Sequence, residues 1–254
     1  MKANKSKSQI GVFITGTDTG VGKTLVAAGL IRALQKNGLE AGYFKPVASG
    51  ALKTRRGLKA PDVDFVLKTT GIEDPAYLIN PVCLSPPLAP LSAAEITKTD
   101  WKVQSIIKAF RTLQKRHPFL VVEGVGGLLV PLKKRLLVID LIERMNLPTL
   151  VVARPTLGTI SHTLMTLALL KQRHLPVLGF LFNGQKGRPG LAERTAPRVI
   201  SEISQVPFWG SLEFDPKVSE TDFQLGSIPE KLTRLLPKNF LSPIIPKHSV
   251  SLFK

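Results

Sequence analysis

Apolar residues along the chain fall into two alternating rhythms. Runs rich in β-branched and aromatic residues at Ile10–Thr15, Ala41–Phe44, Phe119–Val122, Thr149–Val152 and Val177–Phe182 are short and continuous, which predicts buried strands. Between them, apolar positions recur at helical spacing over Leu25–Gln35, Val103–Lys115, Val138–Met145, Ser161–Gln172 and Leu191–Ile203. Val206–Trp209 adds a candidate short strand. Neighbouring parallel strands need a crossover, and helices are the usual means. The alternation therefore predicts an α/β fold: a mostly parallel sheet with helices on both faces, in a single domain.

Two internal segments break the rhythm. Ala51–Ala60 is basic and Gly-containing and reads as irregular, and the Pro-rich Asn80–Pro90 reads as a fixed surface loop. At the ends, residues 1–8 form a polar segment and 237–254 a Pro-containing tail without clear period, either disordered or draped over the domain, which leaves 9–236 as the expected folded unit. A chain of 254 residues with 43% hydrophobic and 21% charged residues can bury a full core. It holds no uninterrupted apolar run of the roughly 18 residues a membrane span needs, so neither a membrane nor export is expected. The lone Cys83 excludes an internal disulfide or a multi-thiolate metal site and suits a reducing cytoplasm.

Charge changes the picture of possible partners. The net charge is +17, the kind of surplus that raises nucleic acid as a candidate. Residues 1–60 carry 11 basic against 2 acidic side chains and residues 121–200 carry 11 against 4, while the rest is near balance. The surplus is thus spread over two long stretches, which reads as general surface composition rather than a dedicated nucleic-acid face.

The strongest chemical signal is Gly16–Thr24, GTDTGVGKT, directly after one predicted strand and before a predicted helix. In that setting Gly20, Val21 and Gly22 bring backbone N–H groups to an anion. Lys23 neutralises phosphate charge, the Thr24 hydroxyl can ligate Mg²⁺, and Leu25 opens the helix. The loop is one residue longer than the standard spacing, because the leading glycine is Gly16 and Thr17 stands where it is usual. DNA-partitioning ATPases carry a second lysine near the start of this loop, where Thr15 to Asp18 stand here. A second cluster follows: Lys45 and Ser49 in KPVASG after the second strand, Asp62 at the start of a short helix with Asp64 as its competitor, and Glu123 opening the turn Gly124, Val125, Gly126 after the third. Ends of parallel strands are where open α/β sheets place ligands.

GTDTGVGKT, KPVASG, VVEGVGG (Val121–Gly127) and LFN (Leu181–Asn183), in this order and at these separations over about residues 9–215, resemble the dethiobiotin synthetase family, P-loop enzymes that close the ureido ring of biotin. The resemblance implies ATP and Mg²⁺ as cofactors and 7,8-diaminopelargonate and CO₂ as substrates. It assigns Mg²⁺ to Thr24, Asp62 and Glu123, and catalysis to Lys23, Lys45 and Thr19. Nucleotide contacts fall to Gly20–Leu25, Gly124–Gly126, Asn183 at the adenine edge and the adjoining Gly184. Substrate contacts fall to Ser49, Lys45, Gly158, Thr159 and Ser161, the last three at a helix start facing the partner's subunit of a homodimer. Cobyrinate amidases of the same branch would need an attached glutaminase domain with a nucleophilic cysteine, for which this chain has no room.

Overall fold

The computed structural model describes residues 10–55, 57–237 and Phe240. A six-stranded sheet forms from β1 (Gly11–Gly16), β2 (Ala41–Phe44), β3 (Phe119–Glu123), β4 (Thr149–Ala153), β5 (Val177–Gln185) and β6 (Phe208–Glu213). Spatial order is β6-β5-β4-β1-β3-β2 and every pairing is parallel. β1 is buried throughout, flanked by β4 (Gly16↔Val152) and β3 (Ile14↔Glu123). The connections after β1 and β3 leave in opposite directions, so a crevice opens beyond their carboxyl ends.

Helices α1 (Lys23–Lys36), α2 (Pro61–Thr70), α3 (Ala76–Ile79), α4 (Pro90–Thr97), α5 (Val103–Arg116), α6 (Val138–Met145), α7 (Thr159–Gln172), α8 (Leu191–Ser204) and α9 (Ile228–Leu235) complete the fold. Alternation of side chains along each strand divides the core. Val12, Ile14, Tyr43, Val121 and Leu181 pack under α1, α2 and α9, whereas Phe13, Phe44, Val122, Phe180 and Phe182 pack under α5 to α8. α1 and α9 meet at Gly29, where a Cβ would come within 2.7 Å of Ile228 Cγ2 and Leu232 Cδ1.

Several expectations are corrected. Ala51–Ala60 contains an exposed antiparallel ribbon, Leu52–Thr54 with Gly57–Lys59. Asn80–Pro90 is more than a surface loop: Val82–Cys83 pairs in parallel with Val47–Ala48, and Val82 and Leu84 are buried, because the loop supplies hydrogen bonds that the KPVASG segment lacks elsewhere (Leu84 N to Ala48 O, Gly50 N to Pro86 O). The fifth strand runs on to Gln185, so Asn183 and Gly184 lie within it. The sixth strand is Phe208–Glu213 rather than Val206–Trp209. Residues 1–8 lie outside the described residues, as does the tail except for Pro237 and Phe240. Phe240 is buried, its ring 5.4 Å from Trp209 edge-on and 6.1 Å from Phe119.

Candidate active site

Gly22 is the N-cap of α1, at φ +90, with Lys23 and Thr24 its first residues. A Cβ at Gly22 would lie 1.9 Å from Asn183 Nδ2, so only glycine admits the approach of β5 to the loop. Val21, 2% exposed, anchors the loop in the core, and its carbonyl accepts a hydrogen bond from Asn183 Nδ2 at 3.0 Å. The asparagine amide thus braces the phosphate loop from behind. On the other side, Gly126 of the β3 turn lies against Thr19, whose Oγ1 would be 3.3 Å from a Cβ there.

The centre of the crevice is a buried charge cluster. Lys45 Nζ sits 2.5 Å from Asp62 Oδ2 and 2.6 Å from Glu123 Oε1, and 3.4 Å from the Gly124 carbonyl. Thr24 Oγ1 donates to Glu123 Oε1 at 2.7 Å and Tyr43 OH to Oε2 at 2.6 Å. Burial alone would lower the Lys45 pKa, but the Glu123 and Asp62 carboxylates and their hydrogen bonds override it and raise it. Lys23 has no such pairing; its Nζ donates to the Asp18 carbonyl at 2.9 Å, and burial and then the Lys45 charge bring its pKa down from 10.5 to about 8. Tyr43 is held well above its ordinary value by burial and by the Glu123 charge.

Thr19, Gly20, Gly22, Lys23, Thr24, Leu25, Lys45, Ser49, Asp62, Glu123, Val125 and Gly126 line one cleft of about 660 Å³, within the usual range for small-molecule sites. Val21, Gly124, Asn183 and Gly184 do not line it. Gly158, Thr159 and Ser161, at the α7 start, are not part of it. Asp64 also faces the cleft but pairs with Lys59 at 2.8 Å, so Asp62 is the carboxylate brought to Lys45 and Glu123. Among the described residues no group of three or more His, Cys, Asp or Glu could hold a metal. Thr24, Asp62 and Glu123 nonetheless converge as a hydroxyl and two carboxylates, oxygen donors of the kind Mg²⁺ takes when phosphates and water complete its shell.

Sequence reasoning missed Tyr43, although strand alternation places it on the side of Lys45 two residues on. It also missed the wall formed by Val218, Glu220 and Phe223, which only the fold brings to the cleft. The charge surplus is not uniformly dispersed either. Lys98, Lys133, Lys134, Arg135 and Arg144 line a groove of about 640 Å³, and Lys108, Arg111 and Lys115 line an adjoining one with the same Arg144. Among these described residues only Lys133 is ion-paired, to Asp100 at 3.0 Å.

Comparison with known proteins agrees with this geometry. A family described as an AAA domain matches residues 10–222. The chain is 42% identical over 213 residues, 80% of its length and 88% of the relative's, to the ATP-dependent dethiobiotin synthetase BioD of Thermodesulfovibrio yellowstonii. It is 33% identical to the protein of the same name from Nitrosopumilus maritimus, over 90% of its length and 95% of that relative's. In fold it is similar to a chain of the MinC:MinD cell division protein complex of Aquifex aeolicus (TM-score 0.55, 15% identity, 87% and 86% of the two chains). It is also similar to the cell division ATPase MinD of Pyrococcus furiosus (TM-score 0.53, 15% identity, 89% and 96%). The phosphate loop, the Lys45–Asp62–Glu123 cluster and the sequence relationship lead to one conclusion: the chain belongs to the ATP-dependent dethiobiotin synthetase family, within the P-loop proteins of the AAA-domain class.

Proposed function

We propose that the chain converts 7,8-diaminopelargonate, CO₂ and ATP to dethiobiotin, ADP and phosphate, a ligase reaction that forms C–N bonds. One substrate amine adds to CO₂ as a carbamate. Its oxygen attacks the γ-phosphorus of ATP to give a carbamic-phosphoric anhydride, and the second amine attacks the carbamoyl carbon, closing the urea and expelling phosphate. A carbamate is a poor electrophile until phosphorylated, and bringing it to a triphosphate means apposing two anions.

The observation that carries this reading is the placement of Lys23, Lys45, Thr24, Asp62 and Glu123 in a single cleft. Lys23, at the N-terminus of α1, faces the position of β- and γ-phosphates, where the loop N–H groups converge. Lys45 is the cation that steadies the carbamate and then the anhydride, with Ser49 beside it and Thr19 orienting the transferring group. Thr24, Asp62 and Glu123 would hold Mg²⁺, which when bound supplies charge neutralisation between the phosphates. No protein nucleophile is required, since the residues position and neutralise. Asn183, through the loop it braces, and Gly184 border the expected base position, and Val125 and Gly126 form the opposite wall, with Gly124 joining them to the end of β3.

A homodimer would complete the pocket. Leu157 is 90% and Met165 60% exposed on and beside α7, an apolar surface that suits burial against a second copy. The α7 start, Gly158 to Ser161, offers N–H groups to the substrate carboxylate. Among the described residues no helix is long and apolar enough to cross a membrane. The proposed enzyme is cytoplasmic and acts on small molecules, with no specific nucleic-acid partner. Incubation with ATP, Mg²⁺, bicarbonate and diaminopelargonate, read out as dethiobiotin by mass spectrometry, tests the proposal. Product that requires all four supports it, and ATP hydrolysis that ignores the diamine and responds to DNA contradicts it.

A further inference from the structure

Arg154 follows β4 immediately and is the residue at which the sheet hands the chain to the α7 start. Its side chain turns back to the phosphate loop. Nη2 donates to the Thr19 carbonyl, Nη1 lies 3.5 Å from Asp18 Oδ2, and a Cβ at Gly20 would come within 3.3 Å of Nη2. Asp18 is itself tied into the loop: Oδ1 accepts from Thr19 N at 2.6 Å, and its carbonyl accepts from Lys23 Nζ. One guanidinium therefore grips Asp18, on whose carbonyl the loop lysine rests, and its neighbour Thr19. The start of the loop is otherwise fixed to β4 by the Thr17 N to Val152 O hydrogen bond at 3.0 Å.

We propose that Arg154 is a positioning residue for nucleotide binding: its planar fork fixes the Asp18–Gly20 turn in the shape that presents backbone N–H groups and Lys23 to the phosphates. This rests on the nucleotide reading of the cleft. Two donors of fixed geometry constrain the turn where a point charge would not. The guanidinium acts through the loop rather than on the transferring group, so its loss falls on affinity.

The test is ADP binding by isothermal titration calorimetry with Mg²⁺, together with kinetics at saturating ATP, on full-length Arg154→Met, Arg154→Lys and a Lys23→Ala control. Loss of a charge-assisted contact of this kind is expected to weaken ADP in Arg154→Met by about 10-fold or more, with the thermal midpoint kept. Arg154→Lys should recover less than half of the loss, and kcat should stay within about threefold. ADP affinity within about twofold of the parent, or full recovery with lysine, would overturn the proposal. So would a fall in kcat of about 100-fold at unchanged ADP affinity, which would mean direct action on the reacting phosphate. If Lys23→Ala also leaves ADP affinity unchanged, the nucleotide reading itself fails. A Lys23-sensitive, Arg154-insensitive protein refutes only the positioning role.

Discussion

Replacing Lys45 by methionine keeps an unbranched side chain and removes the charge from the middle of the cluster. The lysine side chain is 4% exposed, Glu123 1% and Asp62 28%, with carboxylate oxygens 2.5 and 2.6 Å from Nζ. Removing one partner of a buried ionic set costs about 3–5 kcal/mol, because the remaining charges are left uncompensated. Thr24 and Tyr43 still donate to Glu123, and Asp62 still reaches solvent, so the lower end, about 3 kcal/mol, is expected here. At roughly 2–4 °C per kcal/mol for a chain of this length the thermal midpoint should fall by about 6–12 °C. Two oxygens freed from an ammonium are better ligands for a divalent cation, so Mg²⁺ should raise the midpoint of the variant more than that of the parent. Adding Glu123→Gln should restore part of the lost stability by removing the stranded charge. The assay is calorimetric unfolding with and without Mg²⁺, beside turnover, expected to fall about 10²–10³-fold. A Lys45→Met protein as stable as the parent and no more responsive to Mg²⁺ would refute the view that Lys45 neutralises this cluster.

Asp62→Asn should raise the Mg²⁺ concentration needed for half-maximal turnover, whereas Asp64→Asn, which only frees Lys59, should not; a titration of rate against Mg²⁺ separates them. Lys23, at about 8 in the free protein, is partly neutral above that pH, and phosphates favour its charged form. ADP binding at pH 9 should therefore take up a proton that is not taken up at pH 6.5, visible as a buffer-dependent calorimetric enthalpy at the higher pH that Lys23→Ala abolishes. Met165→Glu should shift the protein to monomer in light scattering and lower activity while leaving ADP binding intact; an active dimer would count against the α7 interface. Association with a DNA duplex should be weak and lost with rising salt, the outcome expected if the basic grooves are a general electrostatic surface; tight sequence-selective binding at physiological salt would contradict that.

The central strands were readable because both faces are covered, which leaves long apolar runs with no competing period. Helix starts were displaced by about two residues at α1 and α7, whose N-caps Gly22 and Gly158 are glycines at φ +90 that lack the side-chain capping signal. α9 escaped notice for a related reason: IPEKLTRL is short, and its apolar stripe makes sense only against Gly29 on a helix some two hundred residues earlier. The cleft residues were legible where the chemistry is local, as in Lys23 and Thr24. Glu123 followed from its place at a strand end. Arg154, Tyr43 and the Val218–Phe223 wall depend on long-range register, and Asn183 falls outside the apolar run Val177–Phe182 because β5 continues past that run through irregular pairing with β6. The charge count by segment was similarly blind to folding, since Lys98, Lys133 and Arg144 meet only when α4, the Pro131–Lys133 strand and α6 pack together.

The account turns on phosphorylation of a carbamate oxygen in the cleft formed by Lys23, Lys45 and Glu123. Freshly supplied ¹⁸O-labelled CO₂, diaminopelargonate and unlabelled ATP decide this in one turnover experiment, with the phosphate product examined by mass spectrometry. If the carbamate oxygen attacks the γ-phosphorus and later leaves with it, one labelled oxygen appears in each phosphate released and one remains in the dethiobiotin carbonyl. Phosphate without label, formed alongside dethiobiotin that carries it, would contradict the account.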